Sequence, residues 1–186
     1  MDNGACSYRR YLDGDDEGIV ELIHDYKDGL IFFLYRYVHD YVLAEDLAED
    51  VFVLLAVQKP RYNTRHTVKT WLFTIARNLA IDRYRVQRNR KAIIHVNTRD
   101  GVLATAENPE SLYITNEQNK MLYQALARLK PDYSEVLHLA YFEAFSTEDI
   151  ARILKKNGKQ ISNLLYRAKC ALKDALEEGG FRYEEL

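Results

Sequence analysis

Glycine and proline are both sparse in this chain, with 8 and 3 residues of 186. A turn-rich β architecture needs more of both, so their scarcity favours helices. Cysteine is nearly absent. Cys6 and Cys170 lie far apart with no metal-ligand spacing around either, which excludes a disulfide-dense scaffold and a zinc module. Reduced thiols are the plain reading, and a single disulfide is the other. No apolar run approaches the roughly 18–20 residues of a membrane-spanning helix. The opening Met1-Asp2-Asn3-Gly4-Ala5 lacks the basic-then-apolar order of a signal peptide. The five histidines, His24, His39, His66, His95 and His138, are scattered. There is no His-Glu-x-x-His, no glycine-rich phosphate loop, no Cys-x-x-Cys and no carboxylate pair in an identifiable cleft. No catalytic residue, metal ligand or cofactor is expected, and the chain does not read as an enzyme.

Apolar residues make up 47% of the chain, enough for packed cores. Net charge is only −2, but the charges are segregated. Between Asp13 and Asp50, twelve acids face only Lys27 and Arg36. Between Arg61 and Arg99, ten bases (Arg61, Arg65, Lys69, Arg77, Arg83, Arg85, Arg88, Arg90, Lys91, Arg99) oppose Asp82 alone. From Arg152 to Lys173 there are seven bases and no acid. Two separate basic blocks on a mildly acidic chain imply two contact surfaces for a polyanion, with solvated helix faces as the alternative.

Hydrophobic spacing predicts an all-α chain. One long amphipathic helix is expected from Ile19 to Tyr41. A second runs through Leu43, Leu47, Val51, Leu54 and Leu55 and is closed by Pro60. A third starts near His66, buries Val68, Trp71, Leu72, Ile75, Ala76, Leu79 and Ala80, and enters the arginines. Periodicity then fades, and Val96–Gly101 with Ala106–Pro109 reads as a linker. Thr115 and Gln118 form a capping-box pattern ahead of Met121, Leu122, Ala125, Leu126 and Leu129. Pro131 suits the first turn of the next helix, which carries Val136, Leu137, Leu139 and Ala140.

The C-terminal pattern is more specific. Ser146 caps a short helix ending near Leu154, and Asn157 with Gln160 caps a longer one ended by Gly179-Gly180. Its apolar stripe is Ile161, Leu164, Leu165, Ala168, Leu172 and Leu176. A short helix, a tight turn and a second capped helix make a helix-turn-helix. Lys155, Lys156 and Lys159 crowd the start of the second helix, where the backbone dipole disfavours cations. Their position suits a docked phosphate. Lys159, Gln160, Asn163 and Arg167 project away from the apolar stripe, and such side chains can read base edges in the major groove.

The segment Lys69-Thr-Trp-Leu-Phe-Thr-Ile-Ala-Arg-Asn-Leu-Ala-Ile-Asp-Arg-Tyr-Arg85, continuing to Arg88, closely resembles the DNA-melting segment of extracytoplasmic-function (ECF) sigma factors of the sigma-70 family. Ala44-Glu-Asp-Leu-Ala-Glu-Asp-Val-Phe52 resembles their core-polymerase-binding helix. Phe145-Ser-Thr-Glu-Asp-Ile-Ala151 and Ile161-Ser-Asn-Leu-Leu-Tyr-Arg-Ala-Lys169 resemble their promoter-reading helix-turn-helix. The three motifs stand in the family's order over residues 15–177.

This resemblance implies two small helical domains, a sigma2-like bundle at 13–91 and a sigma4-like domain at 113–180, joined by a flexible linker at 92–112. It implies contact between the polymerase clamp coiled coil and Glu45, Asp46, Glu49, Asp50 and Phe52. It implies −10 DNA contacts at Trp71, Arg77, Asn78, Arg83, Arg85 and Arg88, with an unstacked base captured around Asn78. It places −35 contacts at Lys155, Lys156, Lys159, Gln160, Asn163 and Arg167. Trp71 also stands in the apolar stripe, so packing competes with base stacking as its role. The implied partners are core RNA polymerase (clamp and flap), promoter DNA and an anti-sigma protein, in the cytoplasm and without membrane insertion. The chain departs from the family at Lys155, where Gly is frequent, at Lys156, where an aliphatic residue is, and at Glu49, where Gln is common. A helix-turn-helix regulator with a sensing or dimerising N-terminal domain is the alternative, but it leaves the Trp71–Arg88 segment and the acidic helix without a role.

Overall fold

The computed structural model describes residues 3–94, 122 and 125–179, with side chains in the first stretch placed from residue 4 to 85, Tyr84 apart. The chain divides into two compact units, Met1–Ala106 and Glu107–Leu186. Among the described residues every regular element is helical. The Thr115–Gln118 capping box and the expected linker beyond Ile94 lie outside them.

In the first unit α1 spans Asn3–Leu12, α2 Glu17–Val38, α3 Tyr41–Gln58 and α4 Val68–Ile94. Helices α2, α3 and α4 bury one stripe each against the others. Leu22, Leu30, Phe33 and Leu34 come from α2, Ala44, Leu47, Ala48, Val51 and Leu55 from α3, and Val68, Leu72, Phe73, Ala76 and Ala80 from α4. Phe33 anchors the centre, its ring 5.1 Å from that of Phe73. The helix expected to run unbroken to Tyr41 stops at Val38. His39 turns left-handed at φ 51°, and the Asp40 carboxylate accepts from Leu43 N at 3.1 Å to start α3.

Helix α1 was not legible in the hydrophobic periodicity and lies ahead of the expected domain start at 13. It packs on α2 and touches the start of α4, burying Tyr8 and Tyr11. Gly18 permits this approach: a Cβ there would collide with the backbone carbonyl of Ser7 and come within 2.8 Å of Tyr11 N. Polar bonds fix the contact. Ser7 Oγ donates to Glu21 at 2.6 Å, and Arg10 reaches Glu21 and Asp15 at 2.7 and 2.6 Å.

The second unit holds α5 (Pro131–Leu137), a π-helical turn (His138–Phe142), α6 (Thr147–Ile153) and α7 (Gly158–Glu178). Residues 125–128 are also helical. Pro131 sits in the first turn of α5, where its missing N–H costs nothing. The helix expected to continue through Ala140 widens at His138 instead. His138 is buried there, stacked on Phe142 at 5.3 Å, with its Nε2 3.6 Å from a Glu143 carboxylate oxygen. Helices α5 and α6 both pack on α7, enclosing Val136, Leu139, Ile150, Ile153, Ile161 and Ala168.

Two predictions follow from the α1 contact. Gly18→Ala forces α1 off α2 and should cost about 1–3 kcal/mol, the usual range for overpacking, read as a lowered thermal midpoint. Hydrogen bonds from Ser7, then Arg10, hold the Glu21 carboxyl below its ordinary value. A depressed carboxyl stabilises the fold above its unfolded value and loses that contribution as pH falls through its folded value. The seating of α1 should therefore weaken on acidification below the usual carboxylate range, and Glu21→Gln should flatten that acid limb in a pH series of melts.

Candidate polymerase and nucleic-acid surfaces

Helix α3 shows two opposite faces. Its buried stripe points into the bundle, and Asp46, Glu49 and Asp50 are exposed on the other side, with Glu45 half-buried at its edge. Phe52, expected at the polymerase surface, is only 5% exposed. It follows Val51 into the core, so its role is packing, and it cannot touch a partner in this conformation. Sequence reasoning also overlooked three valines. Val42, Val53 and Val57 are 69%, 55% and 76% exposed. Spacing puts them on the same helical face as Asp46, Glu49 and Asp50. The signal was available, because valines falling outside the core stripe of an amphipathic helix are unexplained by its packing.

The acidic face is partly neutralised from within. Lys27 on α2 places Nζ 3.0 Å from Glu45 and 3.3 Å from Glu49. Bonds to Glu45 and then Glu49 raise the Lys27 pKa. Asp46 and Asp50 make no ion pair with another described residue.

Helix α4 changes character along its length. Its first half is held in the bundle by Val68, Leu72, Ala76 and Ala80. Arg83 falls one turn beyond Ala80 on the same side of the helix yet is exposed, because the helix has run past the end of the core. Arg85 is also exposed and lies 3.8 Å from Asp82, a loose contact in solvent. Arg77 and Asn78 are half-buried at the boundary between the two halves. Arg88 lies on the helix, its side chain outside the described residues. Trp71 is half-buried, with its ring 5.0 Å from Tyr8 and 5.3 Å from Tyr62. Those contacts decide its role in this conformation: it packs. Ahead of α4, the segment 59–67 exposes Arg61 and Arg65, two cations counted in the basic block but not singled out by sequence.

The helix-turn-helix is built as its caps require. Ser146 Oγ accepts from Asp149 N at 3.1 Å. Asn157 and Gln160 form a reciprocal box: Gln160 N donates to Asn157 Oδ1 at 2.8 Å, and Asn157 N donates to Gln160 Oε1 at 2.9 Å. Gln160 thus serves the cap as expected, and a base edge bonded by this side chain would share its oxygen with the Asn157 N–H. Lys155, Lys156, Lys159, Asn163 and Arg167 are all exposed. None of the four cations pairs with a carboxylate among the described residues. On α7, Lys159, Asn163 and Arg167 follow at four-residue steps on the side opposite Ile161 and Ala168.

Lys155 occupies a left-handed position at φ 54°. Such a turn suits glycine and strains an L side chain by about 1 kcal/mol. Lys155→Gly should therefore raise thermal stability by about 0.5–1 kcal/mol, while removing one cation from the start of α7. A lowered melting point would show that the lysine makes a compensating contact.

This geometry presents one acidic-and-valine helix, one basic helix end and one basic helix-turn-helix. Two sigma-70 regions match the chain: region 2 over residues 22–90 and region 4 over residues 119–172. The chain is 29% identical over 158 residues to the RNA polymerase sigma factor YlaC of Bacillus subtilis, covering 84% of this chain and 91% of that protein. It is 26% identical over 172 residues to the ECF sigma factor SigW of the same organism, covering 89% and 92%. Its fold is similar to that of CnrH, solved with the cytosolic domain of CnrY, at TM-score 0.69 and 17% identity, covering 95% and 99%. It is also similar to RpoE of Bartonella quintana, solved with the anti-sigma factor NepR, at TM-score 0.67 and 23% identity, covering 84% and 95%. With regions 2 and 4 in order and full-length relatives of this kind, the chain belongs to the extracytoplasmic-function group of the sigma-70 family, the promoter-specificity subunits of bacterial RNA polymerase.

Proposed function

We propose that this sigma factor divides its contacts among three surfaces. The face of α3 that carries Asp46, Glu49 and Asp50, with Glu45 at its edge, docks on the clamp coiled coil of core polymerase. Val42, Val53 and Val57 supply apolar area to that contact. Charge gives such an interface its rate and register, and buried apolar side chains give it much of its strength. Residues 13–91 and 113–180 act as the −10 and −35 modules and 92–112 as the tether between them.

The −10 element is held by the second half of α4. Arg77, Arg83, Arg85 and Arg88 neutralise backbone phosphates, and Arg61 and Arg65 extend that surface. Asn78 offers a donor and an acceptor to an extruded base, whose unstacking costs a few kcal/mol. On the −35 duplex, Lys155, Lys156 and Lys159 take phosphates at the start of α7, and Asn163 and Arg167 face base edges. The flap of core polymerase and an anti-sigma protein complete the partners, and the cytoplasm is where they meet. Two of the solved relatives were captured with inhibitory or cytosolic partner chains. Nucleotide chemistry stays with the polymerase.

The single observation that carries this reading is the state of the basic side chains. Arg83 and Lys155, Lys156 and Lys159 of the helix-turn-helix are exposed and unneutralised by carboxylates of the described residues. An ordinary solvated, salt-bridged helix face would pair them. The deciding experiment is in vitro transcription by purified core polymerase plus this protein on a genomic fragment library. Discrete start sites that vanish without the protein are expected, and none would overturn the reading.

Further outcomes are specific. Asn78→Ala should impair opening or −10 discrimination and leave core binding intact, and loss of core binding instead would show the segment misassigned. Lys159→Ala should make the salt dependence of −35 binding shallower by about one unit of slope, and Arg167→Ala should relax base preference at the −35 position it faces. An unchanged slope rejects Lys159 as a phosphate contact, and an unchanged base preference rejects Arg167 as a base contact. Lys27→Gln frees Glu45 and Glu49, and should tighten core binding up to about fivefold at low salt, measured by anisotropy titration of labelled protein with core. Weaker binding would mean that Lys27 orients the acids rather than competing for them.

A further inference from the structure

Helix α1 lies outside both matched regions, yet its two buried tyrosines are aimed at one place. Tyr11 Oη donates to the carbonyl of Ala56 at 3.0 Å, satisfying an acceptor in the last turn of α3 that has no partner within the helix. Tyr8 Oη donates to the carbonyl of Pro60 at 2.7 Å, on the segment just past α3. The Lys59 ammonium sits over the Tyr11 ring at 4.6 Å. Tyr8 also meets Tyr62 and Trp71 edge-on, at 6.4 and 5.0 Å. A Cβ on Gly4 would stand 2.7 Å from Tyr26 Oη and 3.1 Å from Val68 Cβ, so α1 fits closely where α4 begins.

These contacts converge on residues 56–71, the exit of α3, the connecting segment and the entry of α4. That segment has no regular structure between Lys59 and Thr67 beyond a turn. The Tyr62 hydroxyl bonds the His66 carbonyl, and Arg65 N bonds Asn63 Oδ1 at 3.1 Å, so its own bonds are local. It is joined to α1 by the Tyr8–Pro60 bond and the Lys59–Tyr11 contact, and to α4 by Tyr62 against Trp71. The segment exposes Arg61 and Arg65 and leads directly into the DNA-facing helix.

We infer that α1 is a buttress for the −10 reading surface, with Tyr8 and Tyr11 as positioning residues that fix the 59–67 segment and the entry of α4 against DNA. This rests on the assignment of α4 to the −10 element. Neither tyrosine touches DNA. Each holds a backbone carbonyl, so each limits how far the exposed arginines beyond it can wander. Burial, with Tyr11 close by, pushes the Tyr8 hydroxyl up to about 12, so it remains a donor throughout the physiological range. The same turns of α1 are tied to α2 through Gly18, Ser7, Arg10 and Glu21, which lets the buttress bear on the core rather than float.

The test uses holoenzyme assembled from the full-length protein and core RNA polymerase. It is challenged with a duplex DNA library randomised separately in the −10 and −35 elements, and bound molecules are sequenced. The double variant Tyr8→Phe/Tyr11→Phe keeps both rings and loses both hydroxyl bonds. Its preference for the selected −10 bases should fall about fivefold, the effect of roughly one net hydrogen bond, with the −35 preference unchanged. Gly18→Ala, which dislodges α1 without altering the tyrosines, should give the same selective loss. An undiminished −10 preference in both variants overturns the proposal. So does an equal loss at both elements, which a general loss of folded protein would produce. Wild-type holoenzyme with no −10 preference would sink the underlying assignment before any variant is made, and the buttress with it.

Discussion

The first unit depends on one constraint: α4 must be a core helix in its first half and an exposed basic helix in its second. Val68, Leu72, Ala76 and Ala80 bury one side of its first half among α2 and α3, and Phe73 locks against Phe33. This packing gives the helix a fixed direction as it leaves the bundle. Rigidity of the basic half is inherited, not local, since a helix bearing Arg83 and Arg85 in solvent has little to hold it but its own backbone bonds. The exposed basic surface is thus placed by apolar contacts more than a turn away.

Electrostatics follows the same economy. The acids of α3 and the bases of α4 belong to one bundle but leave it on different helices. Among the described residues, only Lys27 bridges across to the acidic face, through Glu45 and Glu49. Exposed pairs of this kind add little to stability, so the bridge matters more for the charge seen by a partner. The second unit has its own strain at Lys155, where a left-handed turn carries a cation in place of the residue best suited to it. A modest folding cost there accompanies a positive charge at a helix N-terminus, a trade found at sites that bind anions.

Most of the fold was legible because its helices are amphipathic and their ends are signalled by side chains that cap. Ser146, Asn157 and Pro131 each stand where the sequence put them. The break at His39 was hidden because Tyr41 continues the apolar spacing of α2, and nothing local announces a left-handed histidine. Helix α1 was hidden for another reason: ten residues with Tyr8 and Tyr11 as their main apolar content are too short for a period to declare itself. Its stability comes from contacts with residues some fifty positions away, which a local pattern does not encode. The site residues divide along the same line. Charged positions such as Arg83, Lys156 and Arg167 were readable because solvent is the default for unpaired charge. Phe52 and Trp71 were not, since each has two plausible partners and only the three-dimensional neighbourhood selects one.

The reciprocal cap at Asn157 and Gln160 carries an evolutionary corollary. If α7 reads the −35 duplex as proposed, its third residue is also its starting clasp and cannot be exchanged without loosening the helix at its beginning. Drift in promoter taste among descendants of this protein would then be channelled one and two turns further along, to Asn163 and Arg167, which owe nothing to the helix that presents them. Folding and specificity are written at separate addresses on α7, and only the second set is free to be rewritten.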